Sequence, residues 1–278
     1  MSSNLVSRTI TGAGLVALIL ASILINEFTF FVIFITVIAI GLTEFYKLFE
    51  LTGKNPQKIP GIALGMAIFT AFFLQAKGFD APLNLKPGTI LMVLLILAIV
   101  AIFIYELYRK HPNPFENIAI TVLGVLYIAI PISLLWLIAF RENLYKYNPH
   151  LILGFFIVIW TYDTMAYVTG MMFGKNKLFE RISPKKSWEG AIGGFAFSIV
   201  AAMILSFFFL ELTSLQWGIF AVIVSVFGTF GDLTESLLKR SVDIKDSGSI
   251  LPGHGGILDR FDALFLAIPI VYLYLQFV

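Results

Sequence analysis

Nine runs of about 20 mostly apolar residues, the length of a helix that crosses a bilayer, fill the chain at approximately 9–25, 28–49, 60–76, 88–108, 116–140, 151–173, 188–210, 215–235 and 260–278. Hydrocarbon satisfies no backbone polar group, so such runs must fold as helices or close into a barrel. The short alternating segments of a barrel are absent from this sequence. The expectation is an all-α polytopic integral membrane protein with about nine transmembrane helices. Composition excludes a soluble fold: 59% of residues are hydrophobic and 13% charged, against roughly 25% charged in a soluble domain. Cysteine is absent, which removes thiol nucleophiles, cysteine-ligated metals and disulfides. A net charge of +2 gives no ground for a nucleic-acid partner. Arg8 precedes the first run as in a signal peptide, but no small-x-small cleavage site precedes Asn26 and Glu27, so that run is expected to be retained.

Loop cations set orientation. With the N-terminus inside, cytoplasmic segments carry fifteen of the 19 Lys and Arg residues, and Lys77, Lys86, Arg141 and Lys146 lie outside. The N-terminus is therefore expected in the cytoplasm and the C-terminus outside. Without a long hydrophilic extension, the expected location is a bacterial plasma membrane.

The two parts of the chain differ in kind. Residues 1–145 read as an N-terminal scaffold of about five helices. Its acids, such as Glu44 and Glu106, read as interfacial carboxylates beside Lys or Arg, and Trp136 reads as a belt anchor. Residues 146–278 read as a catalytic part of about four helices with two functional cytoplasmic loops. Asp163 lies inside an apolar run, and at 100° per residue it shares a face with Tyr167, Gly170 and Gly174. An intramembrane acid is costly; it either packs against a neighbouring helix or marks a functional site. The following loop, 175–190, holds five cations and two acids. Alone it reads as a topology signal, yet Ser183-Pro-Lys185-Lys186-Ser187-Trp-Glu-Gly also combines hydroxyls, ammonium groups and a helix N-terminus, which together suit phosphate.

The eighth run ends in Gly231-Asp232-Leu-Thr-Glu235-Ser236-Leu-Leu-Lys239-Arg240, with Asp232, Glu235, Ser236 and Lys239 on one helical stripe. Then comes Lys245-Asp246-Ser247-Gly248-Ser-Ile-Leu-Pro-Gly253-His254-Gly255-Gly256-Ile-Leu-Asp259-Arg260-Phe-Asp262. Three glycines in five residues let the backbone turn sharply and present N–H groups to an anion. Asp259 and Asp262, three apart, are expected to project to the same side. Four carboxylates near several cations suit a metal–phosphate site holding a hard ion such as Mg2+. His254 reads equally as ligand, phosphate donor or loop hydrogen bonder.

These motifs resemble the phosphatidate cytidylyltransferase (CDP-diacylglycerol synthase) family. The resemblance is carried by Ser236-Leu-Leu-Lys-Arg240, Lys245-Asp-Ser-Gly248, Leu251-Pro-Gly-His-Gly-Gly256 and Asp259-Arg-Phe-Asp262 at fixed spacing, with Asp163 and the 182–190 segment upstream. It covers roughly residues 160–262. The family pattern often has Thr at 187, where Ser keeps the hydroxyl, and Ser at 263, where Ala loses one beside Asp262. The resemblance implies transfer of CMP from CTP to phosphatidic acid, giving CDP-diacylglycerol and pyrophosphate, by a homodimeric membrane enzyme with Mg2+ and K+ as a second ion. The mechanism expected is direct attack on the α-phosphorus, because no covalent nucleophile stands out and such transfer works by positioning and charge neutralisation. Metal ligands are expected among Asp232, Asp246, Asp259 and Asp262. Lys175, Lys185, Lys186, Lys239 and Arg240 are candidate phosphate clamps; Ser183, Ser187 and Ser236 are donors. Asp163, Arg260 and the Gly253, His254, Gly255, Gly256 loop are expected to meet substrate. A cytidylyltransferase acting on an isoprenoid or ether-lipid phosphate is the nearest alternative. A secondary transporter is the alternative from another class; motifs confined to one part and an odd span count argue against its inverted repeats.

Overall fold

Asn26 interrupts what would otherwise be one helix. Its side chain accepts from the backbone N–H groups of Phe28 and Thr29, both at 2.9 Å, while the Thr29 hydroxyl caps the Asn26 N–H. This reciprocal cap ends α1 (Ser2–Ile25) and starts α2 (Glu27–Glu50). The computed structural model describes residues 2–78, 87–141, 146–244, 247–248 and 255–278. The chain forms two compact units, Met1–Tyr147 with Val242–Arg260, and Asn148–Ser241 with Phe261–Val278.

In the first unit, α3 (Lys58–Ala76), α4 (Pro87–Arg109), α5 (Pro114–Gly124) and α6 (Ile130–Ala139) follow α2. A π-helical turn at Val125–Ala129 joins α5 to α6, immediately before Pro131. Proline has no N–H to donate and its ring clashes with the carbonyl four residues back, so the widened turn absorbs it within one continuous apolar helix. Trp136 is fully buried, ringed by Phe30, Phe69 and Phe73 at centroid distances of 4.9, 5.5 and 4.6 Å. It is a core residue, not a belt anchor, because phenylalanines from α2 and α3 enclose it. Glu106 is buried as well: it accepts from Gln57 (2.6 Å), Asn117 (3.0 Å) and Arg109 (3.0 Å), which ties the start of α3 to α4 and α5. An arginine is indeed beside it, but the carboxylate is inside the unit rather than at an interface.

The second unit contains α7 (His150–Phe173), a hairpin of β1 (Lys177–Phe179) and β2 (Ser183–Ser187), α8 (Trp188–Leu205), α9 (Ser214–Ser241) and most of α10 (Leu258–Leu275). The two strands pair antiparallel, Lys177 opposite Ser187, where the sequence suggested only a loop. A glycine seam holds α7 to α8. A Cβ on Gly190 would come within 2.7 Å of the Ala166 carbonyl, and one on Gly194 within 2.7 Å of the Tyr162 carbonyl. Backbones this close are the usual way helices pack without a hydrophobic driving force.

Six helices among the described residues are long and apolar enough to cross a membrane: α2, α3, the continuous Pro114–Ala139, α7, α8 and α9. Helices α1, α4 and α10 occupy the other three apolar runs; α10 opens with Asp259, Arg260 and Asp262. Large apolar side chains stay uncovered along α4 and α8, among them Leu97, Phe103, Ile192 and Val200. A surface of that kind belongs in lipid. The chain is an integral membrane protein.

Candidate active site

In the second unit, Ser187 stands at the end of β2 with extended backbone and caps α8, its hydroxyl accepting from the Gly190 N–H at 3.2 Å. That cap uses a lone pair of the hydroxyl oxygen and leaves its proton to donate. The cap fixes the residue before it. Lys186 is carried to Asp232 on α9, and the two form an ion pair. Burial works against the charge on Lys186, but the Asp232 carboxylate outweighs it, with Asp163 adding to the pull, so the ammonium is held above the usual lysine range. Ser236, one turn on, donates to Asp232 at 3.3 Å. Asp262 lies within electrostatic range of Asp232, Glu235 and Asp163. Gly231 makes this possible: a Cβ there would meet the Asp262 carbonyl at 2.5 Å and the Ala263 Cα at 2.9 Å, so only glycine lets α9 and α10 touch where Asp232 and Asp262 stand. Asp163 is exposed rather than packed away. Beside it, Tyr162 accepts a hydrogen bond from Thr229 at 2.5 Å.

Other expected residues have different partners. Lys239 forms an ion pair with Glu235, which is fully buried. Lys175 and Lys185 are exposed on the hairpin segment and Ser183 is half-buried. The backbone N–H groups of Lys175 and Asn176 donate to Glu189, at 3.1 and 3.2 Å, which closes the hairpin onto the start of α8. Arg240 and Arg260 are exposed. Asp246, Gly253 and His254 lie outside the described residues.

The first unit holds the other half of the signature. Asp259 accepts from the Ser247 N–H (3.1 Å), the Ser247 hydroxyl (3.0 Å) and the Gly256 N–H (2.7 Å). Gly255 has φ of +80°, and a Cβ there would strike the Asp259 carboxylate, so this position admits only glycine. Asp259 is thus engaged by donors of the glycine-rich loop, while Asp262 lies within electrostatic range of Asp232. Glu44 is also not the interfacial acid the sequence suggested. It is 2% exposed, accepts from the Leu258 N–H at 3.0 Å, and is flanked by Gly248 and Gly256, whose missing side chains leave it room. The signal for it was an acid inside an apolar run, hidden by Lys47 one turn later. Among the described residues, no three His, Asp or Glu side chains come close enough to hold a metal ion by themselves.

Residues 6–278 match the model of the cytidylyltransferase family. The chain belongs to that family. Curated relatives are similar along most of this cytidylyltransferase. A phosphatidate cytidylyltransferase of Bacillus subtilis (strain 168) is 32% identical over 268 residues, 95% of each chain. One of Staphylococcus haemolyticus is 36% identical over 227 residues, 80% of this chain and 82% of that one. One of Staphylococcus aureus (strain COL) is 34% identical with the same coverage.

Proposed function

We propose that this cytidylyltransferase transfers CMP from CTP to phosphatidic acid, forming CDP-diacylglycerol and pyrophosphate in phospholipid synthesis. The observation that carries the reading is the Lys186–Asp232 pair with Asp163 and Asp262 beside it, a charged cluster on membrane helices of a family member whose relatives bear that activity's name. A phosphatidate oxygen bonds to the α-phosphorus of CTP while the bond from that phosphorus to the bridging oxygen breaks, and pyrophosphate leaves with the electron pair. Lys186 and the exposed Lys175 and Lys185 offset phosphate charge.

Mg2+ fits the residues present. Mg2+ is usually bound by one or two carboxylates, its other positions filled by substrate phosphates and water. The cluster offers the carboxyl groups of Asp163, Asp232 and Asp262 within electrostatic range of one another, oxygen donors of the kind this ion takes. Asp232 and Asp262 would hold it, and what it supplies is neutralisation of the triphosphate. Asp259, with three loop donors on it, is proposed to shape the loop; Asp246 stays a proposed ligand from the sequence. K+ as second ion and a homodimer rest on the family resemblance alone. Nine spans, a cytoplasmic N-terminus and site, and a bacterial plasma membrane belong to the same proposal, supported by the loop-cation bias. The test is purified protein in detergent with CTP, Mg2+ and either phosphatidate or an ether-lipid phosphate. CDP-diacylglycerol and pyrophosphate in equal amounts are expected. Exclusive use of the ether lipid, or no CTP-dependent product from either, overturns the reading.

A further inference from the structure

The second unit has an apolar groove of about 400 Å³ between α8, α9, Tyr162 of α7 and the hairpin, within the range of roughly 300–1,000 Å³ usual for small-ligand sites. Its walls include Phe179, Trp188, Ile192, Phe195, Val226 and Phe230. Along α9 it runs from Leu233 to Ser225, about 12 Å at the helical rise. The three hydroxyls that line it are spent on the protein: Tyr162 with Thr229, Thr229 also with the Ser225 carbonyl, and Ser225 with Ser198 at 2.7 Å. The groove therefore asks for no polar partner. At one end it meets the charged cluster residue by residue. Tyr162 precedes Asp163, Leu233 follows Asp232, and Trp188 stands two beyond Lys186.

We propose that this groove seats one fatty acyl chain of the phosphatidate, so that the attached phosphate is delivered to the Lys186–Asp232 cluster. A ligand that is apolar along its length and carries a phosphate at one end matches both the lining and the Lys186 ammonium at its terminus, whereas a protein helix would bring no phosphate to it. The inference rests on the phosphatidate reading above. Each buried methylene contributes about 0.8 kcal/mol, so the groove also sets which chain lengths bind well.

Two measurements test it. Val226→Trp fills the deep end from a partly exposed position, and Met203→Trp, on α8 outside the groove, is the control. The account expects the KM for dioleoyl phosphatidate to rise about tenfold in Val226→Trp, the worth of roughly two buried methylenes, with KM for dihexanoyl phosphatidate and CTP unchanged and the control like the parent. An equal effect on both lipids, or none, overturns the groove. The second measurement needs no turnover. A phosphatidate with a photoreactive group at the end of one acyl chain should label α8 and α9, and excess phosphatidate, but not phosphatidylcholine, should prevent it. Selective labelling of an inactive protein would keep the groove and refute the reaction. CDP-diacylglycerol formation without selective labelling would keep the reaction and refute the groove.

Discussion

Both units place carboxylates among membrane helices, but they treat the charge in opposite ways. In the first, Glu106 is surrounded by Gln57, Asn117 and Arg109, one acid matched by one guanidinium and two amides. Such a shell closes around the carboxylate; a buried acid that several donors reach rigidifies a fold. In the second, Lys186 pairs with Asp232 and Lys239 with Glu235, Asp262 lies within electrostatic range of Asp232, Glu235 and Asp163, and Asp163 stays exposed. Several acids gathered at an accessible position are what the proposed binding of a cation and a phosphate uses. The difference separates polar residues that hold the protein together from those proposed to do its chemistry.

Four substitutions probe that comparison, in falling order of effect. Asp232→Asn removes the partner of Lys186 and a proposed ligand; kcat/KM should drop on the order of 1,000-fold, about 4 kcal/mol of transition-state stabilisation. Steady-state kinetics against CTP, with Glu106→Gln as the closed-network counterpart that keeps its turnover, gives the comparison directly. Asp259→Asn puts an amide among three loop donors, and turnover should fall on the order of 100-fold, about 2.7 kcal/mol, without loss of insertion. Near-parental kinetics there would detach the loop from the reaction. Glu44→Gln weakens one charge-assisted hydrogen bond, worth about 1.5–3 kcal/mol; about tenfold lower turnover and a lower Tm are expected, and Glu44→Asp, which keeps the charge, should recover part of both.

The smallest effect belongs to Glu211, at the other end of α8 from the hairpin. Burial would raise its pKa, but hydrogen bonds from Asn148 (2.8 Å) and His150 outweigh that and hold it below the usual carboxylate range. A depressed folded pKa gives stability that is present above the unfolded value of about 4.3 and is lost as pH falls through the folded one. Glu211→Gln should leave activity unchanged and flatten the loss of Tm below about pH 4. A change in KM for CTP would contradict its structural role.

How far the sequence could be read follows the same division. Asp163 stands out in the sequence because a charge within an apolar run is expensive enough to need a reason; Lys186 and Asp232 stand out only through the motifs around them. Glu44 was not: Lys47 offered a local explanation, while its real partner, the Leu258 N–H, lies 214 residues away. Trp136 near the end of a run looks the same whether it faces lipid or phenylalanines on α2 and α3. The hairpin escaped because strands of three and five residues, one with Pro184 and two lysines, show no alternation of apolar and polar side chains. Helical spacing puts Asp259 and Asp262 three apart but says nothing of the Ser247 and Gly256 donors that the first of them accepts from.

The central claim is that the charged cluster of the second unit, and not the network around Glu106 in the first, takes the metal–nucleotide. Mn2+ in place of Mg2+ allows this to be measured without turnover, by the electron paramagnetic resonance signal of free Mn2+ titrated with protein in the presence of CTP. The account predicts that the parent binds Mn2+ with CTP, that Asp232→Asn and Asp262→Asn each weaken binding by at least about tenfold, roughly 1.4 kcal/mol, and that Glu106→Gln binds like the parent. Parental Mn2+ binding in Asp232→Asn and Asp262→Asn would contradict it.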